Sequence, residues 1–169
     1  SGGDWETYAP PAFYIFDKSG KQVGKIDNPL LAESDSGFGG ARFIADSTNI
    51  LAGFCNYRRS CIILATREGK IIWRKDLPYR CRFSELEIFS SVGLTGIGTI
   101  DKSSDAYEVR SFFIDWSGNI RWSRVLDIGG NMLVKMLPEY KIAVITSTEG
   151  YIWCIDLDTG QLRWQHKEK

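Results

Sequence analysis

Glycine recurs in this chain where a β-hairpin turn needs it, and at nearly regular intervals. Four segments share one pattern: an apolar run, a short polar turn closing in Gly, and a further run. They are Phe13–Gly20, Ile62–Gly69, Phe112–Gly118 and Trp153–Gly160, and their turn glycines Gly20, Gly69, Gly118 and Gly160 stand 49, 49 and 42 residues apart. Asp, Ser, Thr and Asn bond their own backbone in such turns, and Gly accepts positive φ without steric penalty. Four residues beyond three of the glycines stands a tryptophan: Trp73, Trp122 and Trp164. The first copy has Gly24 at that place.

Upstream of each later hairpin lie two more strand-like runs. These are Ala41–Asp46 with Asn49–Phe54, Leu86–Phe89 with Val92–Gly98, and Met132–Met136 with Lys141–Thr146. A unit of four antiparallel strands in roughly 45 residues has the period of a propeller blade. No helical periodicity of useful length competes with it. The chain is therefore expected to be all-β, a single domain or segment over residues 1–169 holding about 3.5–4 blades. The first blade shows only its last two strands, with residues 1–11 before them. A partial propeller, an unusually small ring, or a ring completed by an oligomer or partner chain are the alternatives. Open blades leave unpaired edges and bare faces, so a protein partner or self-association is expected.

The last copy carries a family resemblance. Cys154-Ile155-Asp156-Leu157-Asp158-Thr159-Gly160-Gln161-Leu162-Arg163-Trp164 resembles the pyrroloquinoline-quinone (PQQ) type propeller repeat, A-x-D-x-x-T-G-x-x-x-W, with Cys in place of the usual Ala. Gly69…Trp73 and Gly118…Trp122 match the Gly-x-x-x-Trp half only. The resemblance implies that Trp73, Trp122 and Trp164, with Gly69, Gly118 and Gly160, dock neighbouring blades. It also implies a non-catalytic interaction or assembly scaffold, as in the outer-membrane assembly lipoprotein of this repeat type. The alternatives are a fragment of a PQQ-dependent quinoprotein dehydrogenase and a ligand-sensing ectodomain. The resemblance slightly favours an extracytoplasmic location; the residues themselves leave the compartment open. Neither PQQ nor calcium is expected in this segment. Quinone enzymes of the family carry a vicinal Cys-Cys pair, which is absent here.

Lys plus Arg equals Asp plus Glu at 21 each, so no overall field draws the chain to nucleic acid or an anionic membrane. No apolar run reaches the ~20 residues of a membrane-spanning helix. The opening Ser1-Gly2-Gly3-Asp4 reads as a boundary: a vector remnant, or the small polar residues next to the anchoring cysteine of a lipoprotein. The one histidine, His166, excludes a Ser-His-Asp triad with a central His and any two-His metal site elsewhere in the chain. No catalytic, cofactor or metal residue is expected. Gly37–Gly40 and Gly93–Gly98 lack the Lys-Ser/Thr pair of a phosphate loop and read as crowded strand positions.

Two features remain. Cys55 and Cys61 flank the loop Asn56–Ser60, and a disulfide between them is geometrically allowed if they face one another; two unpaired thiols are the alternative. Tyr57, Arg58 and Arg59 tip the second blade's inner hairpin, while Tyr79, Arg80 and Arg82 lie in the connection leaving that blade. In propellers such loops emerge on one side, and Tyr and Arg are enriched at binding hot spots. These six residues form the candidate partner-binding patch.

Overall fold

The computed structural model describes residues 12–30, 38–44, 48–56, 58–81, 86–89, 91–103, 106–127 and 130–168. Two hydrogen-bonded strands form the first sheet, β1 (Ala12–Phe16) and β2 (Gln22–Asp27). Three sheets of four strands follow, each a meander in chain order. The second comprises β3 (Phe38–Phe43), β4 (Ile50–Cys55), β5 (Ser60–Ala65) and β6 (Ile71–Leu77). The third comprises β7 (Leu86–Phe89), β8 (Gly93–Ser103), β9 (Ala106–Asp115) and β10 (Ile120–Leu126). The fourth comprises β11 (Met132–Leu137), β12 (Ile142–Ser147), β13 (Tyr151–Asp156) and β14 (Leu162–Lys167). Every pairing is antiparallel, as the short polar turns require. The two glycine-rich runs fall largely inside strands β3 and β8. In β8, a side chain at Gly96 would meet Leu86 Cδ2 at 2.6 Å and Phe112 Cζ at 2.8 Å, so crowding explains that glycine.

The four outer hairpins share one turn geometry. Gly20, Gly69, Gly118 and Gly160 have φ of 84°, 86°, 82° and 71°. Each hairpin's register slips by one residue in the strand after the turn, which skips Val23, Ile72, Arg121 and Arg163. Such a one-residue slip is a β-bulge, here three residues beyond the left-handed glycine, and it strengthens the local twist. Aspartate locks three of the four turns. Asp17 Oδ1 accepts from Ser19 N (2.8 Å), Ser19 Oγ (2.6 Å) and Lys21 N (3.1 Å). Asp115 Oδ1 accepts from Ser117 N and Asn119 N, both at 3.0 Å. Asp156 Oδ1 accepts from Asp158 N (3.0 Å) and from Thr159 N (2.9 Å) and Oγ1 (3.0 Å).

The chain divides into two compact units, Ser1–Ser84 and Glu85–Lys169. In the first, Ile15, Ile26 and Leu30 pack on Ile50, Ala52, Phe54, Cys61, Ile63 and Ala65 of the second sheet. Phe13 and Phe54 stack with centroids 5.0 Å apart. In the second unit, Ile97, Val109, Phe113, Trp122 and Leu126 of the third sheet pack on Met136, Ala143, Ile145, Trp153, Ile155 and Leu157 of the fourth. The period-2 alternation thus sends one face of each sheet to its neighbour.

Of the two readings of Cys55 and Cys61, the structure has the unbridged one; all four cysteines are buried and outside any disulfide. The reason is register. Cys55 lies opposite Ser60, and Cys61 lies opposite Phe54. Cys61 therefore projects from the other side of the sheet from Cys55, since a one-residue step reverses the face.

Candidate interaction surface

The second blade's inner hairpin is built around a buried polar residue. Asn56 accepts the backbone N–H groups of Arg58 (2.9 Å) and Arg59 (2.8 Å) on its Oδ1, and donates its own N–H to Arg59 O at 2.9 Å. Its side chain mimics a turn of backbone and fixes the tip. Arg58 and Arg59 are left exposed there. The next residue, Ser60, is buried at the start of β5, where it does a second task. Its Oγ donates to Cys81 O (3.1 Å) and accepts from Cys81 N (2.6 Å). One hydroxyl thus bonds both the N–H and the C=O of buried Cys81.

That clip ties the segment leaving β6 to the base of the β4–β5 hairpin. Arg59 and Arg80 each directly precede a clipped residue, so the structure brings Arg58, Arg59 and Arg80 to the same end of the second blade. Arg80 is half-buried. Tyr79 departs from the sequence expectation: at 3% exposure it is a core residue and offers no contact surface. Tyr57 and Arg82 lie outside the described residues.

A neighbouring cluster was not anticipated. Arg74 grips Asp76 with three hydrogen bonds of 2.8–3.1 Å. The residues stand two apart on β6, a spacing that puts both side chains on one face and was open to reading in the sequence. Burial works to raise the Asp76 pKa, yet the bonds from Arg74 and Cys61 and the charges of Arg74 and Arg59 hold it below the ordinary value. Cys61, directly across from Asp76, has its thiol pushed up to about 12, chiefly by burial. A thiol so raised is a packing group and not a nucleophile at neutral pH. Burial raises Cys154 as well.

Elsewhere the surface offers less. An open groove of about 580 Å³ is lined by Asp17, Lys21, Gln22, Val23, Arg67 and Glu68. Its charges are mixed, and Asp17 is held below its ordinary pKa first by the Ser19 hydroxyl and then by turn N–H groups, so that carboxylate is engaged in its own turn. His166 is exposed on β14 opposite Ile152. Among the described residues, no three of His, Cys, Asp and Glu group as a metal ion requires.

The docking residues read from the repeat have different fates. Trp122, 8% exposed, lies over the fourth blade's turn. Its indole N–H donates to Leu157 O at 2.7 Å, and Phe113 sits beside it at 6.2 Å between centroids. A side chain on Gly160 would meet the Trp122 ring at 2.5–2.7 Å and its Cβ at 2.8 Å, so the glycine is the seat of the indole. Arg124 adds a hydrogen bond to Gly160 O at 3.3 Å. Trp73 is half-buried on β6. Trp164, by contrast, is 51% exposed on the last strand and docks on no described residue.

The sequence matches no protein-family profile and no curated protein. Solved structures do match. The BamB protein of Moraxella catarrhalis superposes at a TM-score of 0.53 with 16% identity, over 94% of this chain and 47% of its own. Dihydro-heme d1 dehydrogenase NirN gives 0.61 and 13%, over 94% and 34%. Sqt1 of Saccharomyces cerevisiae gives 0.54 and 11%, over 86% and 39%. The four sheets are β-propeller blades. The chain spans between a third and a half of the length of the propellers it resembles. Identities this low carry the propeller fold across and nothing more.

Proposed function

We propose that this propeller segment is non-catalytic and holds a protein partner through the arginine-bearing end of its second blade. The carrying observation is the pair of buried polar residues, Asn56 and Ser60. They fix the backbone of that end while leaving Arg58 and Arg59 exposed at its tip. Preorganised backbone lowers the ordering penalty of binding. The chain as a whole balances its charges, yet this end places Arg58, Arg59 and Arg80 together with Asp76 as the neighbouring acid. Its fit is therefore to a carboxylate-rich segment of a partner, which guanidinium groups recognise in paired geometry.

The raised thiols of Cys61 and Cys154 and the exposed position of His166 support the non-catalytic part of this reading. A second reading, a segment of a quinoprotein dehydrogenase, draws on the likeness to NirN and to the quinohemoprotein alcohol dehydrogenase of Comamonas testosteroni. The absence of any adjacent cysteine pair in the sequence weighs against it.

A peptide array separates the two. Acidic peptides should be retained by the chain, and Arg58→Glu combined with Arg59→Glu should weaken that retention at least about tenfold, as for a pair of hot-spot arginines. Equal retention by the variant overturns the assignment of the surface. Calorimetric binding of PQQ with calcium would favour the dehydrogenase reading.

A further inference from the structure

Register separates Cys55 from Cys61, and the same register sets Cys55 beside another cysteine. Asn56 N donates to Arg59 O, so those two residues are a hydrogen-bonded pair of the β4–β5 ladder. The next pair along, Cys55 and Ser60, is then the close kind, with Cα atoms about 4.5 Å apart and both side chains on one face. On that face the Ser60 hydroxyl reaches Cys81, at 2.6 Å from its N and 3.1 Å from its O. Cys55 and Cys81 therefore flank one serine side chain, the first across the ladder and the second at the end of its hydrogen bonds. Both are buried, at 2% and 5% exposure. The other two cysteines are placed differently. Cys61 projects from the opposite face of the sheet, and Cys154 belongs to the fourth sheet, in the other compact unit. Register and unit thus leave Cys81 as the partner for Cys55.

We infer that Cys55 and Cys81 are a redox pair. A disulfide between them locks the segment leaving β6 to the base of the β4–β5 hairpin, at the place where the Ser60 hydroxyl already clips it. Such a bridge requires Cα atoms about 4.4–6.8 Å apart, a range within reach of two residues that flank one short side chain. The electron acceptor is an external disulfide of the glutathione class. A thiolate of the pair attacks it and releases one thiol; the second cysteine then displaces the other, and both protons leave on the two thiols formed. The bridge closes a loop of about 25 residues, so it restricts the unfolded chain as well. Burial shields both sulfurs, so exchange proceeds as the chain folds or as this end of the blade opens. The lock acts on backbone and asks nothing of the Arg58 and Arg59 side chains, so the failure of either proposal leaves the other standing.

Refolding of the reduced, denatured chain in oxidised glutathione, followed by peptide mass mapping, is the test. The expected product carries a Cys55–Cys81 bridge, with Cys61 and Cys154 still as thiols. Cys61→Ser should keep that bridge and Cys81→Ser should abolish it; Cys55→Ser gives the same readout if the Cys81 variant does not fold. The bridged chain should unfold at a higher urea concentration than the same chain after dithiothreitol, and Cys81→Ser should show no such difference. A chain that refolds with both cysteines as thiols overturns the proposal, as does a bridge that runs from Cys55 to Cys61. A bridge that leaves the urea midpoint where it was overturns the lock equally.

Discussion

In the first unit, strand β2 crosses the β5–β6 turn at Gly24; in the second, β10 crosses the β13–β14 turn at Trp122. Both positions lie four residues beyond a turn glycine, and both meet the next turn's glycine, yet one is the smallest residue and the other the largest. At Gly24, an added side chain would meet Arg67 O at 2.6 Å, Glu68 C at 2.7 Å and Gly69 N at 2.9 Å. One on Gly69 would in turn strike the backbone of Lys25. The first pair of blades therefore approaches backbone to backbone, while the second pair is spaced by an indole. The constant element is the left-handed glycine of the receiving turn. The residue that the preceding blade lays on it can vary. The indole contact adds a hydrogen bond and a large buried ring, so it should stabilise its unit more than the glycine contact does.

The sharpest way to break this contrast is to remove the ring. Trp122→Ala should destabilise the second unit by about 3–5 kcal/mol, the range for truncating a buried aromatic. Trp164→Ala, at the uncovered counterpart, should change the monomer by less than ~0.5 kcal/mol. Urea unfolding followed by circular dichroism measures both; equal effects would mean that burial of the ring is not what matters.

Next in size is Gly24→Ala in the first unit. A single methyl group driven against three backbone atoms of the opposing turn should cost about 1–3 kcal/mol, because backbone cannot step aside as a side chain can. A neutral Gly24→Ala would show that the glycine stands there merely as a missing tryptophan.

The smallest expected effect concerns acid. Asp156 is held down to about 2, first by its bond from Arg163 at 2.6 Å and then by Thr159, while the first unit's receiving turn has Thr66 at the same place. A carboxyl whose folded pKa lies below its unfolded value of about 4 stabilises fully above pH 4. That contribution is lost as the pH falls from about 4 towards 2. Asp156→Asn should therefore lower the thermal midpoint at pH 6 and converge with the parent near pH 2. A constant gap across that window would assign the loss to something other than ionisation.

Much of this fold was legible in the sequence because it is local chemistry. Asp, Ser and Thr before a glycine specify their turn without help from the rest of the chain, and the interval between copies specifies the blade. Trp122 was legible for the same reason, as one member of a repeat. Gly24 was not. A glycine in a tryptophan's place reads as a degraded copy until the opposing backbone is seen at 2.6 Å. The Cys55–Cys61 pair left two readings open because pairing depends on the loop's residue count. Asn56–Arg59 sets Cys55 against Ser60 and sends Cys61 to the other face. Tyr79 was read as loop surface, but the Ser60 hydroxyl clips its neighbour Cys81 to the hairpin base, and the ring is buried. A long-range bond of that kind leaves no periodic trace.

If the turn glycine is a seat for the neighbouring blade, a double-mutant cycle on Trp122→Ala and Gly160→Ala must reveal it. Alone, Gly160→Ala should suffer both the left-handed strain at φ 71° and the clash with the indole. In the Trp122→Ala background the ring contacts are gone, which leaves the strain, about 1–2 kcal/mol, and the contact with the remaining Cβ at 2.8 Å. The strain alone is the effect expected of Gly20→Ala, where φ is 84° and nothing stands within 4 Å. A coupling energy of at least about 1 kcal/mol between Trp122 and Gly160 is the predicted result. Strict additivity of the two substitutions would contradict it.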